Sequence, residues 1–192
     1  MQPTKTKILD VMISYIKNGE NVNNIAIAKI AQEADIGKST IYEYFENKKA
    51  LIEETYFYLL NRYETILMQE VKDVEFKTAL VRQLSWILDV VIDAKSIMEV
   101  LLGAQNDLAF IKFETCSSKI KKMQDGMEDR FIEIIKIGLN SGEIKYINRP
   151  YQNNIIQSLI TGLMFQYVDG VMDITREALL ELIYTEIIRV LN

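Results

Sequence analysis

Proline occurs only twice in the 192 residues, at Pro3 and Pro150. A proline inside a helix removes a backbone hydrogen bond and clashes with the preceding turn, so the long stretch between the two is free to be helical throughout. No segment alternates apolar and polar residues as a half-buried strand does. The expected fold class is all-α. Ile8, Leu9, Met12, Tyr15 and Ile16 share one face of a first helix over residues 4–18, and Asn18-Gly19 closes it because glycine takes a left-handed backbone at no steric cost. From Asn47 a long helix runs to residue 72, with no Gly- or Ser-rich linker to loosen it. Further helices are expected over 75–93, 96–106, 108–140, 150–169 and 175–191, punctuated at Asp73, Ala94-Lys95, Asn140-Ser141-Gly142, Asn148-Arg149-Pro150 and Asp169-Gly170.

The most specific pattern is AKIAQEADIGKSTIYEYFENKKAL, Ala28 to Leu51. Ile27, Ile30, Ala31 and Ala34 recur at three- and four-residue spacing, so one side of a short helix packs while Lys29, Gln32 and Glu33 stay wet. Asp35-Ile36-Gly37 stops that helix, since Asp tolerates left-handed angles, Gly permits almost any, and Ile36 plugs the turn. Lys38 to Phe45 then holds about two turns of helix. Ile41 and Phe45, four apart, face inward and leave Lys38, Ser39, Thr40, Tyr42, Glu43 and Tyr44 largely outside. Two short helices joined by a tight turn are the form whose second helix enters the major groove of DNA.

The motif resembles the tetracycline-repressor (TetR) family: I-A, A, the turn Ile36, then K-S-T-I-Y-x-Y-F and N-K-K-A-L follow the family's order and spacing. The resemblance covers about a quarter of the chain. It implies a three-helix DNA-binding head over residues 1–48, and a helical body over 49–192 that binds a small ligand and pairs two subunits. Carried over residue by residue, it places Lys38, Ser39, Thr40 and Tyr42 at bases and backbone, and Tyr44 and Lys48 on phosphates. The chemistry agrees, because a lysine attracts an anion, a tyrosine hydroxyl donates to a phosphate oxygen, and Ser or Thr touches base edges or backbone. The chain departs from the family pattern at Asp35, where Gly is frequent, and at Ile25-Ala26, where a Thr pair usually caps the helix. Asn23 or Asn24 is the replacement cap expected here. Glu43 and Glu46 bring negative charge to the phosphate-facing surface. Glu46 is expected in solvent, and Glu43 either in solvent or accepting from a cytosine amino group.

With 49% apolar residues the chain can bury a substantial core. Its net charge of −5 argues against indiscriminate nucleic-acid binding. Residues 1–50 hold seven lysines against six acids, leaving fifteen basic and twenty-one acidic residues to the rest. A near-neutral head gives modest non-specific affinity, so stable binding calls for two heads on one double-stranded operator and hence a homodimer. A single cysteine, Cys116, excludes an internal disulfide and suits a reducing, cytoplasmic setting, and its thiol reads as a redox sensor or, more simply, as a spectator. No apolar run approaches the roughly 20 residues of a membrane span, and the first residues lack the layout of a signal peptide. The absence of histidine removes the usual catalytic base and the commonest metal ligand. Neither an enzyme nor a metal or cofactor site is expected.

The last two helices carry more than one apolar stripe, so each has a face beyond its own core to bury. Ile156, Leu159, Leu163, Ile183 and Ile187 are the expected dimerisation residues, in the four-helix interface that the resemblance implies, with Gly162 allowing close approach. A thick monomer core is the other reading. The resemblance also implies an inducer pocket among the body helices. Its candidate lining is Tyr63, Trp86, Phe110, Phe113 and Phe165, with Tyr56, Met98 and Tyr167 in reserve. Asp89 leads the possible polar partners, ahead of Asp93, Gln105, Asn106 and Asp107. Trp86 with Asp89 and Asp93 falls on a side of its helix away from Leu80, Leu84, Leu88 and Val91, where a cationic or hydrogen-bonding ligand would be held or a merely acidic edge exposed. The expected function is that of a ligand-responsive dimeric DNA-binding regulator, released from a palindromic operator by a small-molecule inducer. The alternative is a helical ligand-binding or adaptor protein with a non-functional head.

Overall fold

The structure, a computed structural model, describes residues 3–71, 74–103, 113–145 and 149–192, with the side chains of 96–103 and 113–117 outside the description. The described residues form eight helices and no strand: α1 (Pro3–Lys17), α2 (Ile27–Glu33), α3 (Lys38–Tyr44), α4 (Lys48–Leu67), α5 (Phe76–Gly103), α6 (Phe113–Ser141), α7 (Gln152–Val168) and α8 (Arg176–Leu191). The all-α expectation holds, and an N-terminal helix-turn-helix head is joined by α4 to a helical body. Two helices expected over 75–93 and 96–106 are one, α5, which runs through Ala94-Lys95 without a break. Both residues are strong helix formers, and neither supplies a cap nor a left-handed turn. The helix from Asn47 ends at Leu67 instead of 72.

The described chain divides into two compact units, residues 1–64 with 93–122, and residues 65–92 with 123–192. The first holds the head. Ile8, Leu9, Met12, Ile13, Tyr15 and Ile16 of α1 are buried, as are Ile30 and Ala31 of α2, Ile41 of α3, Phe45, and Leu51 and Ile52 of α4. Gly19 (φ 77°) ends α1 as expected: its N–H reaches the Ile16 carbonyl at 3.0 Å, and Glu20 N–H reaches Tyr15 at 3.0 Å. These two bonds satisfy carbonyls that the helix leaves open.

The second unit is built on Phe76, Ala79, Leu80, Leu84 and Leu88 of α5, packed with Ile134 and Ile135 of α6, Ile156 and Met164 of α7, and Leu179, Leu180, Ile183, Ile187 and Leu191 of α8. Each fully buried side chain of this size stabilises by about 1.5–3 kcal/mol. Gly138 of α6 lets the Phe76 ring come so close that an added Cβ would lie 2.8 Å from its Cδ2. α8 opens on Thr175, whose hydroxyl accepts from Ala178 N–H at 3.2 Å. Arg176 then donates to the Ser85 carbonyl (3.0 Å), the Ser85 hydroxyl (2.6 Å) and Asp89 (2.7 Å), locking the start of α8 to α5. Carbonyls at the end of α4 are taken by two side chains of this unit: Gln83 Nε2 donates to Leu67 at 3.2 Å and Arg130 Nη2 to Met68 at 3.3 Å.

Candidate nucleic-acid interface

The turn between α2 and α3 is built by its own backbone. Asp35 sits at φ 52°, its N–H donating to the Gln32 carbonyl (3.1 Å), and Ile36 N–H reaches back to Ala31 (3.0 Å). This pair of bonds is the same helix-ending motif as at Gly19, with an aspartate in the left-handed position. Asp side chains are among the few that tolerate it. Ile36 at the following position is half-buried, as its role of plug requires. The side-chain cap expected from Asn23 or Asn24 is absent. α2 starts after Ala26 in an extended conformation, with no side-chain cap bond. Residues 21–25 instead satisfy one another, Asn21 Oδ1 accepting from Asn23 N–H at 2.9 Å and Asn24 N–H reaching the Asn21 carbonyl at 2.9 Å.

With Ile41 and Phe45 buried, α3 turns Lys38, Ser39, Tyr42 and Glu43 to the outside, while Thr40 and Tyr44 are half-buried. Tyr42 is 48% exposed, so its ring is not part of the head's core. Tyr44 leans on Phe45, ring centroids 6.5 Å apart. The lysines of residues 1–50 divide sharply. Lys5, Lys7, Lys17 and Lys29 are in ion pairs with Glu54, Asp35, Asp93 and Glu20. Lys5 also lies over the Phe45 ring at 5.3 Å, and Lys29 over Tyr15 at 4.7 Å. Lys49 is engaged as well. Lys48 donates from Nζ to the Asn23 carbonyl at 2.5 Å, and burial lowers its pKa. Lys38, exposed at the start of α3, has no such partner among the described residues.

Lys48 therefore has a task that its sequence position did not reveal. It ties the first turn of α4 to the loop before α2, while an ammonium retains two further protons for an anion. Asn47 caps the same turn, its Oδ1 accepting from Ala50 N–H at 2.9 Å. An Asn before a helical run is a legible cap signal; the Asn23 contact, made by a backbone carbonyl 25 residues away, carries none.

The candidate pocket residues are divided between the two units and the residues outside the description. Tyr63 is buried in the first unit, and its hydroxyl has no hydrogen-bond partner among the described residues; burial, with Asp93 adding to it, raises its pKa. Trp86 packs half-buried against the core of the second unit. Asp89 meets Arg176 in the second unit, and Asp93 meets Lys17 in the first. Phe165, 52% exposed, lies on the outside of α7, because its neighbour Met164 takes the inward direction. Phe110, Gln105, Asn106 and Asp107 lie outside the described residues, as do the side chains of Met98, Phe113 and Cys116.

Among the expected dimerisation residues, Ile156, Ile183 and Ile187 are sealed in the protomer's own core, at 1%, 0% and 0% exposure, and Leu159 and Leu163 are packed against that core while partly open. Ile155, Leu159 and Gly162 line up along α7 at i, i+4 and i+7, flanked by Phe165; Ile155 and Phe165 are exposed, and Leu159 and Gly162 partly so. A Cβ added at Gly162 would meet nothing within 4 Å. No helix of the described residues is long and apolar enough to cross a membrane, and they contain no group of three or more metal-ligating side chains.

Residues 21–55 match the bacterial regulatory proteins of the tetR family. No curated protein matches the chain. Among solved structures, a tetR-family transcriptional regulator from Streptomyces coelicolor is similar over 99% of this chain and 81% of its own, with a TM-score of 0.64 at 14% identity. The fatty acid degradation regulator FadR from Bacillus halodurans is similar over 98% of this chain and 96% of its own, with a TM-score of 0.61 at 17% identity. FadR from Bacillus subtilis, solved in complex with stearoyl-CoA, is similar over 97% of this chain and 99% of its own, with a TM-score of 0.56 at 19% identity. At such identities the likeness is one of fold.

Proposed function

We propose that this chain, with a head matching the TetR family and a fold shared with TetR-family regulators, is a ligand-responsive dimeric transcription regulator, a repressor that leaves a palindromic operator when a small-molecule inducer binds its body. The observation that carries the reading is the outer face of α3. Four lysines of the head are held in ion pairs, whereas Lys38 has no partner among the described residues and stands beside exposed Ser39 and Tyr42. Lys38 and the Tyr42 hydroxyl meet phosphates and base edges; Thr40 and Tyr44, half-buried, and Lys48, tied to Asn23, brace the helix and add backbone contacts at its margins.

In this reading residues 1–48 touch DNA and 49–192 pair the subunits and take the inducer. Two heads hold their recognition helices about 34–36 Å apart, one turn of DNA. The line Ile155, Leu159 and Gly162 of α7, with Phe165, packs on its symmetry mate, while Ile156, Ile183 and Ile187 hold that face in shape from behind. α4 is the coupling element. It is tied to the loop before α2 through Lys48 at one end and capped by Gln83 and Arg130 at the other, so a ligand that favours one setting of the body helices biases the spacing of the heads.

The test is fluorescence anisotropy on labelled DNA flanking the protein's own gene. The wild-type chain is expected to bind at nanomolar concentration. Lys38→Ala is expected to weaken binding and to lower the steepness of its salt dependence by about one counterion, with helicity and dimerisation unchanged. Equal binding by wild type and variant would remove Lys38, and with it the proposed face, from the interface.

A further inference from the structure

The outer face of α3 carries one group that the attraction of DNA does not explain. Ser39 and Glu43 stand two residues to either side of buried Ile41, which on a helix of about 3.6 residues per turn places each about 160° from it. They are the side chains of α3 aimed most directly away from the head's core, and four residues apart they are neighbours. Glu43 is exposed, and no cation pairs with it among the described residues. Lys38, the free lysine of the same helix, projects about 140° away around the axis and cannot neutralise it. An unpaired carboxylate thus occupies the leading edge of the helix that meets a polyanion.

We propose that Glu43 is a specificity-determining residue, accepting a hydrogen bond from the exocyclic amino group of one cytosine in each operator half-site. The inference rests on the DNA-binding reading above and deepens it. The four base edges in the major groove decide the partner. Guanine offers two acceptors and thymine an acceptor beside a methyl group, so both repel or fail to bind a carboxylate. Adenine offers an amino donor next to an acceptor nitrogen, which opposes the second carboxylate oxygen. Cytosine alone presents an amino donor with no acceptor of its own beside it. Every wrong base leaves the carboxylate desolvated and unpaired against the phosphates, so Glu43 selects chiefly by penalising the alternatives. Glu46, past the end of α3, has no such position and stays in solvent.

The experiment is selection from random-sequence duplex DNA with the full-length protein, the Glu43→Gln variant and the Glu43→Ala variant, followed by titrations on the wild-type site and on unrelated DNA. The wild-type motif is expected to fix cytosine at one position in each half-site. Glu43→Gln, whose amide both donates and accepts, is expected to move that position toward adenine, and Glu43→Ala to leave it unspecified. Each variant should bind the wild-type site about tenfold or more weakly while binding unrelated DNA more tightly, because a negative charge has left the interface. Identical motifs from all three proteins would overturn the role of Glu43 and leave DNA binding standing. If the wild-type protein selects no motif at all, the DNA-binding reading fails and this inference with it.

Discussion

Gly162→Ala separates what the protomer tolerates from what a dimer tolerates. Inside an α-helix, replacing glycine by alanine stabilises by about 1 kcal/mol, since the unfolded chain loses freedom and the helix gains a good former. Nothing in the protomer opposes the change, because the new methyl meets no atom within 4 Å. If α7 packs on its symmetry mate through the line Ile155, Leu159 and Gly162, both copies of the methyl enter one isologous contact. Overpacking there costs about 1–3 kcal/mol, a loss of roughly 5- to 150-fold in dimer affinity. Sedimentation equilibrium over a range of concentrations, with urea unfolding at the dilute end, reads both effects. The expected pattern is a weaker dimer and a monomer more stable than wild type. Gly138→Ala supplies the contrast: its methyl would lie 2.8 Å from the Phe76 ring within the same protomer, so it is expected to destabilise by about 1–3 kcal/mol at every concentration. A Gly162→Ala dimer as tight as the wild type would refute the placement of Gly162 at the crossing.

Three further substitutions test the positions that hold the head and body in shape. Asp35→Ala, at φ 52°, is expected to cost about 1 kcal/mol, whereas Asp35→Gly should lie within about 0.5 kcal/mol of wild type, relief of strain offsetting unfolded-state entropy; thermal melts of the two variants decide. Arg176→Ala deletes three hydrogen bonds to Ser85 and Asp89, and a loss of about 1.5–3 kcal/mol is expected in urea unfolding; an unchanged midpoint would mean the start of α8 is held by packing alone. Lys48→Met removes the bond to Asn23 while keeping the aliphatic stem; hydrogen exchange at residues 20–26 should accelerate, and unchanged protection would show that the loop holds itself.

The head was legible because its signals are local. Apolar spacing at Ile27, Ile30, Ala31, Ala34, Ile41 and Phe45, and a stop at Asp35-Ile36-Gly37, fix two short helices and the turn between them, and all six apolar residues are buried. Gly19 likewise ends α1 by backbone conformation alone. The body was harder to read, since which of several apolar stripes faces inward depends on partners far along the chain. Ile156, Ile183 and Ile187 are as aliphatic as Ile155, yet only the packing of α5 and α6 against them decides that they are core. The pairing of Asp89 with Arg176 spans 87 residues, and no spacing rule announces it. Ala94-Lys95 is not punctuation, because neither residue breaks a helix, and α5 passes through it.

In the proposed dimer two copies of α3 read two successive major grooves. A chemical footprint on the DNA flanking the gene measures this directly. Two protected patches centred about 10 bp apart, related by a palindrome and lost together in Lys38→Ala, are the predicted result. Protection of a single half-site by a monomer, or of none while the protein stays folded and dimeric, would contradict it.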